Sequence, residues 1–457
     1  MILRKQSFTP IQTPTKNVRT TQLTVETGPM ALKIKDYKAG DGSRFSLLID
    51  TEDDGMPLYY PTAYVSMSLG SLMPNTRRAN LYALKRVYDW VNEKGIDLDR
   101  RFATKKLFTM PEVESLVQAL SVNSKESDGT TIQGSKVNYH LDIVSTYFGW
   151  LFGNWITDSN ADANRLLIER LQASLVARKR KGGSVARAKR RRIAKKLSDG
   201  ADAALLELFA AFQPPDESTL GPNSQNRYLD ANGKTISKFQ YGVAYRNVLA
   251  LRILYDLGMR IGELLGLRYS DFIPASGGET AYLRIERNHD DAFDRRMSQP
   301  VAKTLGRTLP LTPQLERMIS EYLAQYRADI PNVGYGDNAF ILVNHKRGVN
   351  QGREIEMSTF RSALAVITER DPRLKKVHPH LLRHHWNYRF SELAIREGLT
   401  DVQTRQRREH WMGWVEGSSS ARDYDLRHIQ ESANKHGRLV ASDTARSKSD
   451  RKRTTDA

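Results

Sequence analysis

Apolar residues recur at three-and-four spacing along most of this chain and alternate in only a few places. Alternation comes first. Leu32 and Ile34, then Phe45, Leu47, Leu48 and Ile49, flank the turn signal Ala39-Gly-Asp-Gly42 and predict a small β-hairpin. From residue 61 to about 175 the period becomes helical. Asn75-Thr76 can cap a helix carrying Leu81, Leu84, Val87, Tyr88 and Val91, with Gly95 ending it. Thr109, with Pro111 just inside, opens a second helix through Leu120. Residues 137–150 predict a third, rich in aromatics, and residues 161–176 a fourth.

The second half mixes both periods. Ser198 caps a helix through Phe212, and residues 214–237 read as a loop. Phe239 to Leu257 is a long apolar helix broken by Gly258, with a new helix starting near Arg260. Residues 280–287 alternate as a strand. After a charged loop (288–296), residues 300–311 return, giving a hairpin with Lys303 at or near its tip. Thr312 caps a helix to about Arg327, residues 339–343 read as a short buried strand, and residues 358–370 as a helix. Thr400 caps a helix ending near Trp411, and Tyr424 falls in the first turn of a short helix. Residues 436–457 are polar and read as a disordered basic tail.

Charge changes the picture. The 457 residues carry 70 Lys plus Arg against 52 Asp plus Glu, a formal +18, which favours a polyanionic partner, above all nucleic acid. Arg77, Arg78, Lys85 and Arg86 lie on the first long helix, and residues 178–196 contain a dense basic run without an acid, including Arg187, Arg190, Arg191 and Arg192. Such a run repels itself and reads as an extended linker until phosphates neutralise it. With 39% hydrophobic residues the chain can build ordinary cores. There is no cysteine, so disulfides, thiolate nucleophiles and Cys-based zinc sites are excluded. The first residues lack a signal-peptide core, and no apolar run is long enough to span a bilayer. A cytoplasmic, DNA-associated protein is expected.

The densest chemistry is at residues 377–390. Pro379 can open a helix on which His380 and Arg383 share a face, with His384 close by. An imidazole beside a guanidinium fork suits a phosphate. Arg260, at a helix N-terminus, also suits an anion, with Glu263 one turn on to hold it.

Three separated stretches resemble one family, the tyrosine site-specific recombinases of phage-integrase type. The first box, Thr-Gly-Leu-Arg-x-x-Glu-Leu-x-x-Leu-x-x-x-Asp, is matched by Leu257-Gly-Met-Arg260-Ile-Gly-Glu263-Leu-Leu-Gly-Leu267-Arg-Tyr-Ser-Asp271. His-x-Leu-Arg-His is matched by His380-Leu-Leu-Arg383-His384. Gly-His/Trp followed by Tyr is matched by Gly413-Trp414 and Tyr424. The resemblance implies that Arg260 and Arg383 clamp the scissile phosphate. Lys303 protonates the leaving 5′-oxygen, His380 assists proton transfer, and Tyr424 is the nucleophile. Glu263 and His384 support them. Trp414 takes a position that is His in most members and contributes packing and an indole N–H, which leaves His410 as an outside candidate for a second acid–base role.

The resemblance implies a mostly α fold with a small β-sheet. Its parts are an arm and β-hairpin (1–60), a helical, SAM-like core DNA-binding domain (61–177), a basic linker (178–196), an α+β catalytic domain (197–435) and the tail (436–457). It implies DNA integration and excision of a mobile element through a 3′-phosphotyrosyl intermediate. Partners would be a specific double-stranded DNA site, a homotetramer on two duplexes and an accessory DNA-bending factor. Attack on a phosphodiester needs a nucleophile, neutralised oxygens and a proton for the leaving alkoxide. No carboxylate cluster of metal-ligand type and no phosphate-binding glycine loop accompanies these residues, so neither a metal nor a nucleotide cofactor is expected. A relaxing enzyme of type IB topoisomerase kind and a DNA-binding regulator on an inactive scaffold are the competing readings.

Overall fold

The computed structural model describes residues 31–123, 130–156, 161–181, 196–212, 234, 236–418, 433–434 and 436–442. It is mostly helical with two small antiparallel sheets: a helical N-terminal region followed by an α+β region. The chain divides into two compact units. One comprises residues up to Lys35, Leu47–Leu72 and Arg77–Lys179. The other comprises Asp36–Ser46, Met73–Thr76 and the chain from Arg180 onward. Strands β1 (Leu32–Lys38) and β2 (Arg44–Asp50) form the expected hairpin and contribute to both units.

The sequence suggests four helices before the basic linker, and the described residues there form six: α1 (Tyr59–Ser68), α2 (Pro74–Glu93, its first turn counted with the second unit), α3 (Leu98–Thr104), α4 (Met110–Ser121), α5 (Gly134–Trp155) and α6 (Ala161–Ala177). Helix α2 starts at Pro74 rather than after Asn75-Thr76, because a proline at the first position needs no N–H partner. Thr109 caps α4 as expected. Its hydroxyl accepts from the Glu112 N–H, and the Glu112 carboxylate accepts from the Thr109 N–H, an arrangement that contributes about 1 kcal/mol. The core is aromatic. Phe108 meets Phe148 at 5.0 Å and Phe152 at 5.8 Å, and the hydroxyls of Tyr88 and Tyr147 lie 2.6 Å apart. Two unbonded phenol oxygens would not tolerate such burial; bonded to each other they do.

The second unit is built around α8 (Lys238–Leu257), which follows α7 (Asp199–Ala211) in the chain. Ser198 caps α7, and Ser237 with Gln240 forms a capping box on α8. Tyr245, Leu249, Ile253 and Leu254 on α8 are fully buried in one continuous apolar cluster. Gly258 ends α8 at φ +62, and a Cβ there would lie 2.7 Å from Trp386 Cγ, so only glycine fits.

Helix α9 (Ile261–Gly266) follows. Strands β3 (Phe272–Ile273), β4 (Tyr282–Ile285) and β5 (Arg307–Pro310) then form an antiparallel sheet in that order, pairing Leu283 with Leu309 and Ile285 with Arg307. Strand β3 was not anticipated. Next come α10 (Pro313–Glu321), running into a π-helical turn at Tyr322–Arg327, then α11 (Met357–Arg370), α12 (Pro379–Arg396) and α13 (Asp401–Met412).

Several expectations are corrected here. Lys303 does not lie at the tip of a tight hairpin: the β4–β5 connection is long, and Lys303 lies in its last stretch, just before β5. Residues 339–343 are buried but form no ladder. They make isolated bridges, Arg268 with Phe340 and Val343 with Glu354, and the Phe340 carbonyl accepts from the buried Arg327 guanidinium at 3.0 Å. The charged loop 288–296, whose role the sequence leaves open, is partly buried. Arg296 and Asp294 are buried and paired at 2.7 Å, and the buried Arg44 donates to the carbonyls of Arg296 (2.9 Å) and Asp294 (2.6 Å). Residues 436–442 are helical rather than disordered. Among the described residues no helix is long and apolar enough to cross a membrane.

Candidate active site

A cleft of about 560 Å³ in the second unit is lined by Arg260, Lys303, His380 and Arg383, together with Arg361 and Asn75. The sequence proposed the first four from three distant stretches, and local structure explains how each arrives.

Arg260 occupies the N-cap of α9 in extended conformation. Its backbone N–H donates to Glu263 Oε2 at 3.1 Å, and its guanidinium is 3.7 Å from Glu263 Oε1. Gly262 lets this helix approach the strand of chain that leads to Lys303, since a Cβ would lie 2.6 Å from the Val301 carbonyl oxygen. Lys303 itself is exposed to the cleft side.

Helix α12 carries the other two. Pro379 is its first residue, and the His378 ring accepts from the Leu381 N–H through Nδ1 at 3.2 Å. That bond requires an unprotonated Nδ1. His380 is exposed and meets the His384 ring edge to face, centroids 4.3 Å apart. Arg383 is buried (3% exposed). Its terminal nitrogens donate to the carbonyls of Gly258 (2.8 Å) and Met412 (3.2 Å), and its guanidinium lies over the Trp414 ring at 5.5 Å. Those carbonyls end two helices, so the helix C-termini themselves orient the cation.

Glu263 is the buried anion behind the cations. Burial alone would push its carboxyl up. The charges of Arg307 and Arg383, with hydrogen bonds from Arg307 and Thr304, hold it below the ordinary glutamate range. The cation that engages it most closely is not Arg260 but Arg307, at 2.8 Å. Sequence reading missed Arg307. The available signal was a charged residue at an inward position of an alternating strand, since β5 buries Arg307 and Leu309 and exposes Thr308 and Pro310.

The remaining candidates divide. Trp414 follows Gly413 at the end of α13, its backbone N–H donating to the Glu409 carbonyl at 2.9 Å. His410 is exposed on α13 and is not among the residues lining the cleft. Tyr424 lies outside the described residues, as do Arg187, Arg190, Arg191 and Arg192. In the first unit, Arg78 lies over the Tyr82 ring at 5.6 Å, Arg77 is half-buried, and Lys85 pairs with Asp89 at 2.8 Å. Arg86 is structural: it donates to the carbonyls of Leu120 (2.9 Å) and Val122 (2.7 Å) and so closes the end of α4.

A cleft of this kind offers three or four cations to one anionic oxygen cluster, a proton carrier in Lys303 and an imidazole in His380. That set suits transfer at a phosphodiester. No curated protein sequence matches the chain. Among solved structures, the XerH site-specific recombinase in a pre-cleavage complex with its difH substrate is similar at 17% identity, covering 82% of this chain and 92% of that one, with a TM-score of 0.33. A post-cleavage complex of XerH with palindromic difH is similar at 14% identity over the same shares, with a TM-score of 0.37. Residues 234–396 match the phage integrase family, and they span both Arg260 and the His380–Arg383 helix. Over those residues the chain carries a phage integrase family domain.

Proposed function

We propose that the chain is a site-specific DNA recombinase that integrates and excises a mobile element through a 3′-phosphotyrosyl intermediate. The observation that carries this reading is the convergence of Arg260, Lys303, His380 and Arg383 on one cleft. The Tyr424 phenol attacks the scissile phosphorus and gives its proton to His380. Arg260 and Arg383 neutralise the non-bridging oxygens, where charge develops. The P–O5′ bond breaks, and the 5′-oxygen takes a proton from the Lys303 ammonium. The phenol is a good leaving group in turn. A 5′-hydroxyl from a second duplex can therefore attack the phosphotyrosyl bond and complete the exchange. Two duplexes require two pairs of active sites, hence a homotetramer, with an accessory DNA-bending factor as a further partner. Arg77, Arg78, Lys85 and the basic run 178–196 supply sequence-independent phosphate contacts.

The test is a nicked suicide duplex from DNA flanking the gene. A covalent protein–DNA adduct should form in excess EDTA and without ATP. Relaxation of any supercoiled plasmid by a monomer would instead favour a topoisomerase. DNA binding without an adduct on any flanking duplex would leave a regulator and sink the proposal.

A further inference from the structure

Arg307 lies at the buried start of β5, opposite Ile285, and its side chain is 2% exposed. Its three nitrogens reach three separate segments. Nε donates to the Trp411 carbonyl at 2.6 Å, one terminal nitrogen to Thr304 Oγ1 at 3.0 Å, and the other to Glu263 Oε2 at 2.8 Å. Thr304 Oγ1 donates onward to Glu263 Oε1 at 2.6 Å, so both carboxylate oxygens are engaged. Glu263 Oε2 also accepts the Arg260 N–H.

One planar cation thus meets the helix start that carries Arg260, the turn that carries Lys303 beside Thr304, and the helix end just before Gly413-Trp414. A second strut runs alongside, the Leu305 N–H donating to the Gly413 carbonyl at 2.9 Å. A lysine could not replace this, because a single ammonium cannot present three divergent coplanar donors.

We infer that Arg307 is a positioning residue that fixes where the Lys303 turn stands relative to the arginine pair. It touches no substrate and acts through Thr304 and Glu263. The inference rests on the reading of Lys303 as the acid that protonates the leaving 5′-oxygen.

That reading supplies a discriminating test. In a duplex whose bridging 5′-oxygen is replaced by sulfur, the P–S bond breaks to give a thiolate that needs no proton. A misplaced Lys303 therefore matters on oxygen and hardly at all on sulfur. A misfolded site is slow on both. The full-length chain and its Arg307→Gln and Thr304→Val variants are compared on suicide duplexes of both kinds, with DNA affinity measured in parallel.

Arg307→Gln should cut adduct formation on oxygen at least about a hundred-fold, the lower range of a general acid's contribution, and stay within about five-fold of wild type on sulfur. Thr304→Val removes one hydroxyl from the same network and should show the same pattern at about ten-fold, which decides the matter if Arg307→Gln fails to fold. Affinity for the duplex should be unchanged for any variant that folds. Wild-type rates on oxygen, or equal losses on oxygen and sulfur in the folded variants, overturn the inference alone. No adduct from wild type on either duplex overturns the functional reading beneath it, and the inference with it.

Discussion

The Arg383 guanidinium lies 5.5 Å over the Trp414 ring while its terminal nitrogens hold the Gly258 and Met412 carbonyls. The arginine is thus oriented from two sides before any phosphate arrives. Indole is the best aromatic partner for a guanidinium, contributing about 0.5–2 kcal/mol. Trp414→Ala should slow adduct formation about three- to thirty-fold with little change in DNA affinity. Arg383→Lys should abolish it, because a point charge reproduces neither the fork nor the two carbonyl bonds. An active Lys variant in a suicide-duplex assay would show that Arg383 is no clamp.

Tyr424→Phe keeps the ring and removes one oxygen. Folding and duplex binding should survive, since only one hydroxyl is removed and the ring is kept. The covalent adduct should be lost entirely. An adduct in the Phe variant would move the nucleophile elsewhere. Tyr388 is the alternative to test, although it lies beside Lys196, whose ammonium is 4.5 Å over its ring.

Neutralising residues 187–196 should weaken binding to every duplex alike. For every phosphate left without its cation, the slope of log affinity against log salt should flatten by about 0.9. A titration of affinity between low and moderate salt checks this. A weakening confined to one DNA sequence would mean that the segment reads bases.

His345 gives the fold a specific acid sensitivity. It is 1% exposed, its Nε2 is 3.2 Å from the Tyr322 hydroxyl, and its ring stacks on Tyr322. Burial first, and then the charge of Arg246, press its pKa from 6.5 to about 3. Between those values the unfolded chain binds the proton and the folded chain does not. Stability is therefore complete above pH 6.5 and falls as pH drops toward 3, by up to about 1.4 kcal/mol per pH unit. Urea melts at a series of pH values should show this slope, and His345→Gln should remove that share of it. An unchanged slope would mean the imidazole is protonated in the fold.

Much of the architecture was legible because caps and periods are local. Thr109, Ser198, Thr312 and Thr400 each accept from a backbone N–H at the helix starts where the sequence placed them. Helix α3 was not legible: seven residues are too few to display a period, and its capping Asp97 looks like any loop acid. Helix α1 buries only Pro61, Tyr64 and Val65, too little for a stripe. The larger difficulty concerns charge. Arg86 was read only as part of a basic helix, and nothing singled out Arg44, Arg296 or Arg307, yet each is bonded to carbonyl or carboxylate oxygens contributed by distant segments. Whether an arginine meets water or a carbonyl is a tertiary fact, and no local pattern encodes it. The cleft residues were legible for the opposite reason, since their spacing within each box follows from the helix that presents them.

Gly413 has a positive φ of 63° and closes α13, which invites its reading as a hinge. The packing forbids that. On the side where a Cβ would stand, Arg307 and the Leu305 carbonyl oxygen are both at 2.8 Å and Thr304 Cβ at 2.9 Å, and the Gly413 carbonyl is bonded to Leu305. The glycine therefore serves as a fixed exit port, and it aims the chain rather than freeing it. The chain after Trp414 departs from a fixed point. Lengthening or shortening the chain between this port and Tyr424 should therefore disturb cleavage even where Tyr424 itself is kept.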